Sequence, residues 1–263
     1  MSDSSDNSLR SLLPAGWQVT HRLALSAGLN IVGVGVGLVL GAVLLARILP
    51  ADGHFIYKAL GSYVLLLLPL LAFLHAHRPH TRFGPANTVT LIRAAIVCLL
   101  ASLYGEHWID FELLVACAAI VALTLDGLDG WLARLRGTQS RFGARFDMET
   151  DAMLALVLSL LAWQSGKAGA WVLIAGLMRY AFIAASVLWV WLDRPLPPSQ
   201  RRKTLCVLQL IALIACVAPI LPDSWRFLAA VDAVLMVSWS FAVDVAWLAR
   251  RRRLPLTAGD ATA

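Results

Sequence analysis

The stretch DGLDGWLARLRGTQSRFGARFDMETD, Asp126 to Asp151, places four aspartates between two apolar runs. The chain around it is 59% hydrophobic and only 14% charged, with a mean hydropathy of +0.74. Soluble domains average roughly 25% charged residues, so a soluble class is excluded by composition. Four acids so regularly placed in such a chain require a reason. Asp126 and Asp129 are three residues apart, and Asp147 and Asp151 are four apart, so each pair shares a face of a helix. A short basic loop joins the two helices, which makes them antiparallel neighbours and lets both pairs converge on one point.

Working outward, a spanning helix needs roughly 20 mostly apolar residues. Eight candidates are found, near 25–47, 57–76, 88–105, 112–134, 148–164, 169–191, 204–222 and 226–249. Alternation at period two is absent, which argues against a β-barrel. The expected fold is all-α, a polytopic membrane helix bundle. Basic residues alternate between the connections. One set holds Arg78 and Arg82, then Arg136, Arg141 and Arg145, then Arg194, Arg201, Arg202 and Lys203, then Arg250 to Arg253. The other side holds Arg47, Lys58, Lys167 and Arg226 beside Glu106, Asp110 and Glu112. Positive charge favours the cytoplasmic side, so both termini are expected there, in an inner membrane. The net charge of +6 therefore suits topology, and no nucleic acid partner is expected. No cleaved signal is expected at the N-terminus; Ser8 to Leu13 reads as a disordered tail or a short surface helix. All four cysteines lie in apolar runs and read as small core residues without disulfides.

The apolar run Leu113 to Leu125 covers about 20 Å as a helix, short of the roughly 30 Å hydrocarbon core. Continued through DGLDGWLAR, its last turns reach the headgroup boundary. The next run begins just after Asp147, which puts its first turn at the same level. Four carboxylates there repel one another and are costly to desolvate, so they either take up protons or hold cations, and the neighbouring glycines and arginines favour the second. Hard oxygen ligands suit Mg²⁺ or Mn²⁺, which keep open positions for phosphate oxygens. Gly130 and Gly143 remove side chains where a ligand approaches the backbone, and Arg134, Ser140, Arg141 and Arg145 lie close by. Other readings remain for single residues: Asp147 as a helix cap, the arginines as inside-loop charge, Asp126 and Asp129 as their partners. None of these covers the whole set.

Asp126, Asp129, Gly130, Ala133, Arg134, Gly143, Asp147 and Asp151 form the pattern D-x2-D-G-x2-A-R-x8-G-x3-D-x3-D. This resembles the signature of the CDP-alcohol phosphatidyltransferase family. The resemblance implies a six-helix core over residues 85–250, preceded by an added two-helix module at 25–84. Tails at 1–24 and 251–263 complete the chain. It also implies an enzyme that moves a phosphatidyl group from CDP-diacylglycerol to a small polar alcohol and releases CMP. By likeness, Asp126, Asp129, Asp147 and Asp151 would hold two divalent ions, Mg²⁺ or Mn²⁺, and Asp151 would act as the base. Gly130 and Arg134 would meet the nucleotide end of the donor, with Ser140 and Gly143 nearby. The stretch NTVTLIR resembles the start of the family's first core helix, where Asn87 and Thr88 would help seat the cytidine diphosphate. A homodimer is implied by the same likeness.

The acceptor is less legible. Arg179 in GLMRYAF sits midway in an apolar run, where a buried arginine needs a partner. Arg179, Arg201 and Lys203 are candidates for a phosphorylated acceptor such as glycerol 3-phosphate, and RKTLCVLQ resembles the glycerophosphate branch. Topogenic charge is the simpler reading of Arg201 to Lys203. Asp232 and Asp244 receive no function, although Asp244 is near enough to the cytoplasmic end to meet a basic loop. His75, His77 and His80 read as interfacial polar residues in preference to a metal box, for want of a fourth ligand. The rival readings are an aminoalcohol phosphotransferase joining a CDP-linked small alcohol to diacylglycerol, and a cation transporter using intramembrane aspartates.

Overall fold

The structure, a computed structural model, describes residues 20–49, 52–77, 80–106, 112–197 and 199–251. Ser8 to Leu13, Arg78, Asp110, Arg252 and Arg253 lie outside them. All regular structure among the described residues is helical. In order the α-helices are α1 (His21–Ile48), α2 (Phe55–Phe73), α3 (Pro85–Ser102), α4 (Glu112–Leu135), α5 (Arg141–Gln164), α6 (Leu173–Leu188), α7 (Gln200–Val217) and α8 (Asp223–Arg251). Short 3₁₀ turns extend α2 through Leu74–His77 and flank α6 at Ala170–Val172 and Val190–Asp193. Six helices are long and apolar enough to cross a membrane: α1, α2 with its 3₁₀ turn, α3, α4, α6 with its leading turn, and α8. The protein is a multi-pass membrane protein.

Helices α5 and α7 fall short of that apolar standard for a visible reason. Each runs into a charged first turn or two, Arg141 to Asp151 in α5 and Arg201 to Lys203 in α7. Backbone hydrogen bonding continues a helix regardless of side-chain polarity, so α5 starts at Arg141 instead of near residue 148. Helix α7 stops at Val217, short of the expected 222. Ala218 is extended (φ −72°, ψ 131°) because it precedes Pro219, whose ring disfavours helical geometry before it.

The chain divides into two units. The first comprises residues 1–108 and 120–151, hence α1 to α3, the last two-thirds of α4 and the start of α5. Within it α1 packs on α2 and α3, and α2 packs on α3. Gly35 admits the Tyr63 ring and Gly41 admits Leu99, each at 3.3–3.4 Å from where a Cβ would stand. Tyr63 donates to the Ile31 carbonyl at 3.0 Å. Leu25, Leu29, Val32, Val36 and Leu40 of α1 remain more than half exposed, an apolar face suited to lipid. At the loop between α3 and α4, buried Glu106 accepts from Lys58 Nζ at 2.6 Å and from the Asp52 amide at 2.8 Å.

The second unit comprises residues 109–119 and 152–263, with α7 and α6 each packed on α8. Buried Arg226 donates to Glu112 at 2.8 Å and to the Cys216 and Val217 carbonyls at 2.9 and 3.1 Å, satisfying the open end of α7. Gly176 of α6 lies so close to the Leu156 backbone that a methyl group has no room. None of the four cysteines forms a disulfide. Cys98 and Cys216 are buried as expected, whereas Cys117 is exposed on an apolar surface and is not a core residue.

Candidate active site

Helix α3 opens at Gly84, whose φ of 81° needs glycine, and at Pro85, which loses no hydrogen bond in the first turn. Asn87 donates to the Phe83 carbonyl at 2.5 Å, and Thr90 donates to Asp129 Oδ2 at 2.7 Å. One turn on stands Arg93, which is completely buried. Its guanidinium meets all four aspartates. Nη1 donates to Asp126 in a short hydrogen bond and approaches Asp129 Oδ2 at 3.4 Å. Nη2 donates to Asp147 Oδ1 at 2.7 Å and to Asp151 Oδ1 at 3.2 Å. It also reaches the Asp147 carbonyl at 3.1 Å. All five residues belong to the first unit.

Helix α5 explains how the second pair arrives. Ser140 lies just before it and accepts the Gly143 amide at 3.0 Å, satisfying one of the free donors of its first turn. Ser140 is therefore the cap, and the reading of Asp147 as a cap falls. Asp147 and Asp151 sit about 9 and 15 Å along the helix, in its second and third turns, not in the first. Carboxylate oxygens of Asp126, Asp129 and Asp147 lie within 4.8 Å of one another. Asp129 is buried, while the side chains of Asp126, Asp151 and Asp147 are 23%, 20% and 40% exposed, open to an incoming ligand. One guanidinium faces four carboxyl groups, an excess of acid over base. Hard oxygen donors this close, with that excess, fit a divalent cation.

Gly143 permits the close approach of α3 to α5. A Cβ there would stand 3.0 Å from Asn87 Oδ1 and 3.4 Å from Ser140 Oγ. The groups that fill the space are thus the two side chains themselves. Beside Gly130, the space is taken by the exposed Arg134 head, 3.4 Å from where a Cβ would be. Thr88 donates to Asn30 Oδ1 of α1 at 2.7 Å.

The other candidates belong to the second unit. Arg201 donates to Asp244 at 2.5 Å and lies 3.3 Å from the Ser240 carbonyl, and Arg202 approaches the same carboxylate at 3.5 Å. Asp244 does meet the basic cluster, which lies in the first turn of α7 and not in the loop before it. Lys203 is exposed and Arg179 half-buried in α6. The histidine rings bond apart: His75 to the Ala72 carbonyl, His80 to that of Gln139, and His77 to Ser140 and the Arg82 carbonyl. His77 is 1% exposed, so its ring is buried within the protein.

Arg93 and Thr90 escaped the sequence reading, although both stand in NTVTLIR. The signal was a lone cation in the apolar run LIRAAIVCLL, the same signal that drew attention to Arg179.

A family model of CDP-alcohol phosphatidyltransferases matches residues 83–243, more than half of the chain and the whole of the four-aspartate segment. The chain belongs to the CDP-alcohol phosphatidyltransferase family. Enzymes of this family are transferases of phospholipid synthesis that act on CDP-alcohols at a bilayer and use a divalent metal. In this CDP-alcohol phosphatidyltransferase, the Asp126, Asp129 and Asp147 group can hold such an ion. Helices α1 and α2 precede the matched residues. No curated protein and no solved structure matches the chain.

Proposed function

We propose that this enzyme transfers a phosphatidyl group from CDP-diacylglycerol to the hydroxyl of a small polar acceptor, glycerol 3-phosphate being favoured, and releases CMP. The supporting observation is the convergence of all four signature aspartates on buried Arg93, with three carboxylates inside 4.8 Å. Asp126, Asp129, Asp147 and Asp151 hold two ions, Mg²⁺ or Mn²⁺. Bound there, the ions supply charge neutralisation for the pyrophosphate and for the departing CMP. Asp151, partly exposed at the rim of the cluster, accepts the proton of the attacking hydroxyl. The acceptor oxygen bonds to the lipid-bearing phosphorus as the bond to the CMP oxygen breaks. Asn87, Thr88, Gly130, Arg134, Ser140 and Gly143 bind the nucleotide end, where Arg134 offers an exposed fork for phosphate.

Arg179, Arg201 and Lys203 bind the acceptor's phosphate, for which Arg201 exchanges Asp244 for the incoming anion. Residues 25–84 form a membrane module ahead of a catalytic core at 85–250, between tails at 1–24 and 251–263. The site and both termini face the cytoplasm from an inner membrane, following the basic loops, and the enzyme acts as a homodimer. The placement lets acyl chains stay in lipid while CMP and a polar acceptor exchange with water.

The test is an acceptor screen. Purified protein receives CDP-diacylglycerol, Mg²⁺ and a panel of small alcohols, and CMP and the lipid product are read by mass. CMP with phosphatidylglycerol phosphate is the expected result. CMP only from diacylglycerol plus a CDP-linked small alcohol would move the enzyme to the aminoalcohol branch. No CMP under either regime overturns the proposal.

A further inference from the structure

Helices α1 and α2 lie ahead of the matched residues 83–243, yet two side chains from that region hold residues of the nucleotide end. The first is Asn30 of α1. Its Nδ2 donates to the Ser26 carbonyl at 2.8 Å, which fixes the amide so that Oδ1 faces Thr88. The Thr88 hydroxyl hydrogen is then committed, between Asn30 Oδ1 at 2.7 Å and the Gly84 carbonyl at 3.0 Å. Ser26 also accepts the Phe83 amide at 3.2 Å, tying the turn before α3 to α1.

The second is His77, in the 3₁₀ turn that ends α2. Its Nε2 lies 2.9 Å from the Arg82 carbonyl, and a carbonyl only accepts, so Nε2 carries the hydrogen. In the neutral ring Nδ1 is then an acceptor, and the Ser140 hydroxyl donates to it at 2.8 Å. Ser140 Oγ in turn accepts the Gly143 amide. The His77 ring rests edge-on against Phe142 at 5.3 Å, and Phe142 against Phe83 at 5.9 Å. From α2 itself, Phe73 lies under the Arg145 guanidinium at 3.8 Å.

Two contacts of one kind therefore run from the added module to one edge of the site. In both, a hydroxyl donates its hydrogen inward and keeps a lone pair for a ligand. We propose that the N-terminal helix pair is a positioning frame for the nucleotide of the donor, in which His77 and Asn30 hold Ser140 and Thr88 as hydrogen-bond acceptors for the hydroxyl and amino groups of a cytidine diphosphate. His77 and Asn30 are positioning residues that act through Ser140 and Thr88. The inference rests on the reading above that those two residues meet the nucleotide.

The test uses full-length protein in detergent with Mg²⁺, titrated with CDP and separately assayed with CDP-diacylglycerol and acceptor. His77→Phe keeps a ring against Phe142 and removes the acceptor nitrogen. Losing one well-aligned hydrogen bond predicts about a fivefold to tenfold rise in the CDP Kd and the donor KM. The acceptor KM and kcat stay within about twofold. His77→Asn, whose amide oxygen can replace Nδ1, recovers most of the loss, and His77→Phe adds nothing to Ser140→Ala. Asn30→Ala gives the same donor-side shift, so the idea stays testable if the buried His77 variant fails to fold. An unchanged CDP Kd in the folded variants, or equal shifts in both KM values, overturns the frame. Wild type that binds CDP but releases no CMP counts against the proposed activity alone, because the variants' CDP affinities still report on the frame. Wild type that binds no CDP overturns both.

Discussion

Arg93 is the residue on which the electrostatics turn. It carries one positive charge, has no exposed surface and meets four carboxylates from two other helices. Its Nε is buried with no hydrogen-bond partner among the described residues, while both Nη groups are directed at the four acids and the Asp147 carbonyl. Removing one partner of a buried ion pair typically costs about 3–5 kcal/mol, because the other charge is left uncompensated. Arg93→Ala is therefore expected to lower the Tm in detergent, and millimolar Mg²⁺ should narrow the gap by supplying the missing charge. A gap that ignores Mg²⁺ would mean that no divalent ion enters the cluster. Asp151→Asn keeps the shape of the side chain but removes the carboxylate proposed as the base. It should cut CMP release by about 10²-fold or more with little loss in Tm, and near wild-type turnover would remove Asp151 from that role. The aspartates were legible because their spacing alone puts each pair on one helix face. Arg93 was not, because its partners lie 33 to 58 residues away in sequence and only the fold brings them together.

The elements follow from the apolar runs, and their ends follow from local chemistry that the runs do not carry. The sequence reading found the eight α-helices of the described residues in order, since long stretches without charge have little choice in lipid. Its boundaries failed where a helix outlasts its apolar residues. Helix α5 begins at Arg141, just after the Ser140 cap and seven residues before the run at 148, and α8 runs from Asp223 to Arg251. The α7 end was readable in principle, since Pro219 disfavours helical geometry just before it. Close contacts between helices were not readable at all. Gly176 sits against the Leu156 backbone and Ser159, and backbone cannot yield as a flexible side chain can. Gly176→Ala should therefore destabilise the protein by about 1–3 kcal/mol, seen as a lower Tm, whereas Gly61→Ala, with open space around it, should leave Tm unchanged or raise it. Equal Tm values for the two variants would contradict the packing of α6 on α5.

For the whole molecule, the reading of sidedness rests on the loops. If α5 and α7 cross along with the six apolar helices, the chain returns to the face where it started, and with the proposed sidedness a reporter active only in the cytoplasm should work at either terminus. Activity at the N-terminus alone would leave an odd number of crossings and remove either α5 or α7, the two with charged first turns, from the spanning set. The order of synthesis adds a further consequence of Arg93. Between residues 20 and 102 the chain has one acid, Asp52, in the turn between α1 and α2. When α3 leaves the ribosome, its guanidinium has no counter-ion; an arginine at a helix centre costs about 2.5–3.5 kcal/mol on insertion scales. Helix α3 is therefore expected to wait beside the insertion machinery until α4 and α5 deliver their acids, the three then partitioning into lipid as a group. Nascent chains cut off at Glu106 should be degraded rapidly in pulse-chase, Arg93→Leu should spare them, and chains reaching Ser165 should survive with the arginine in place.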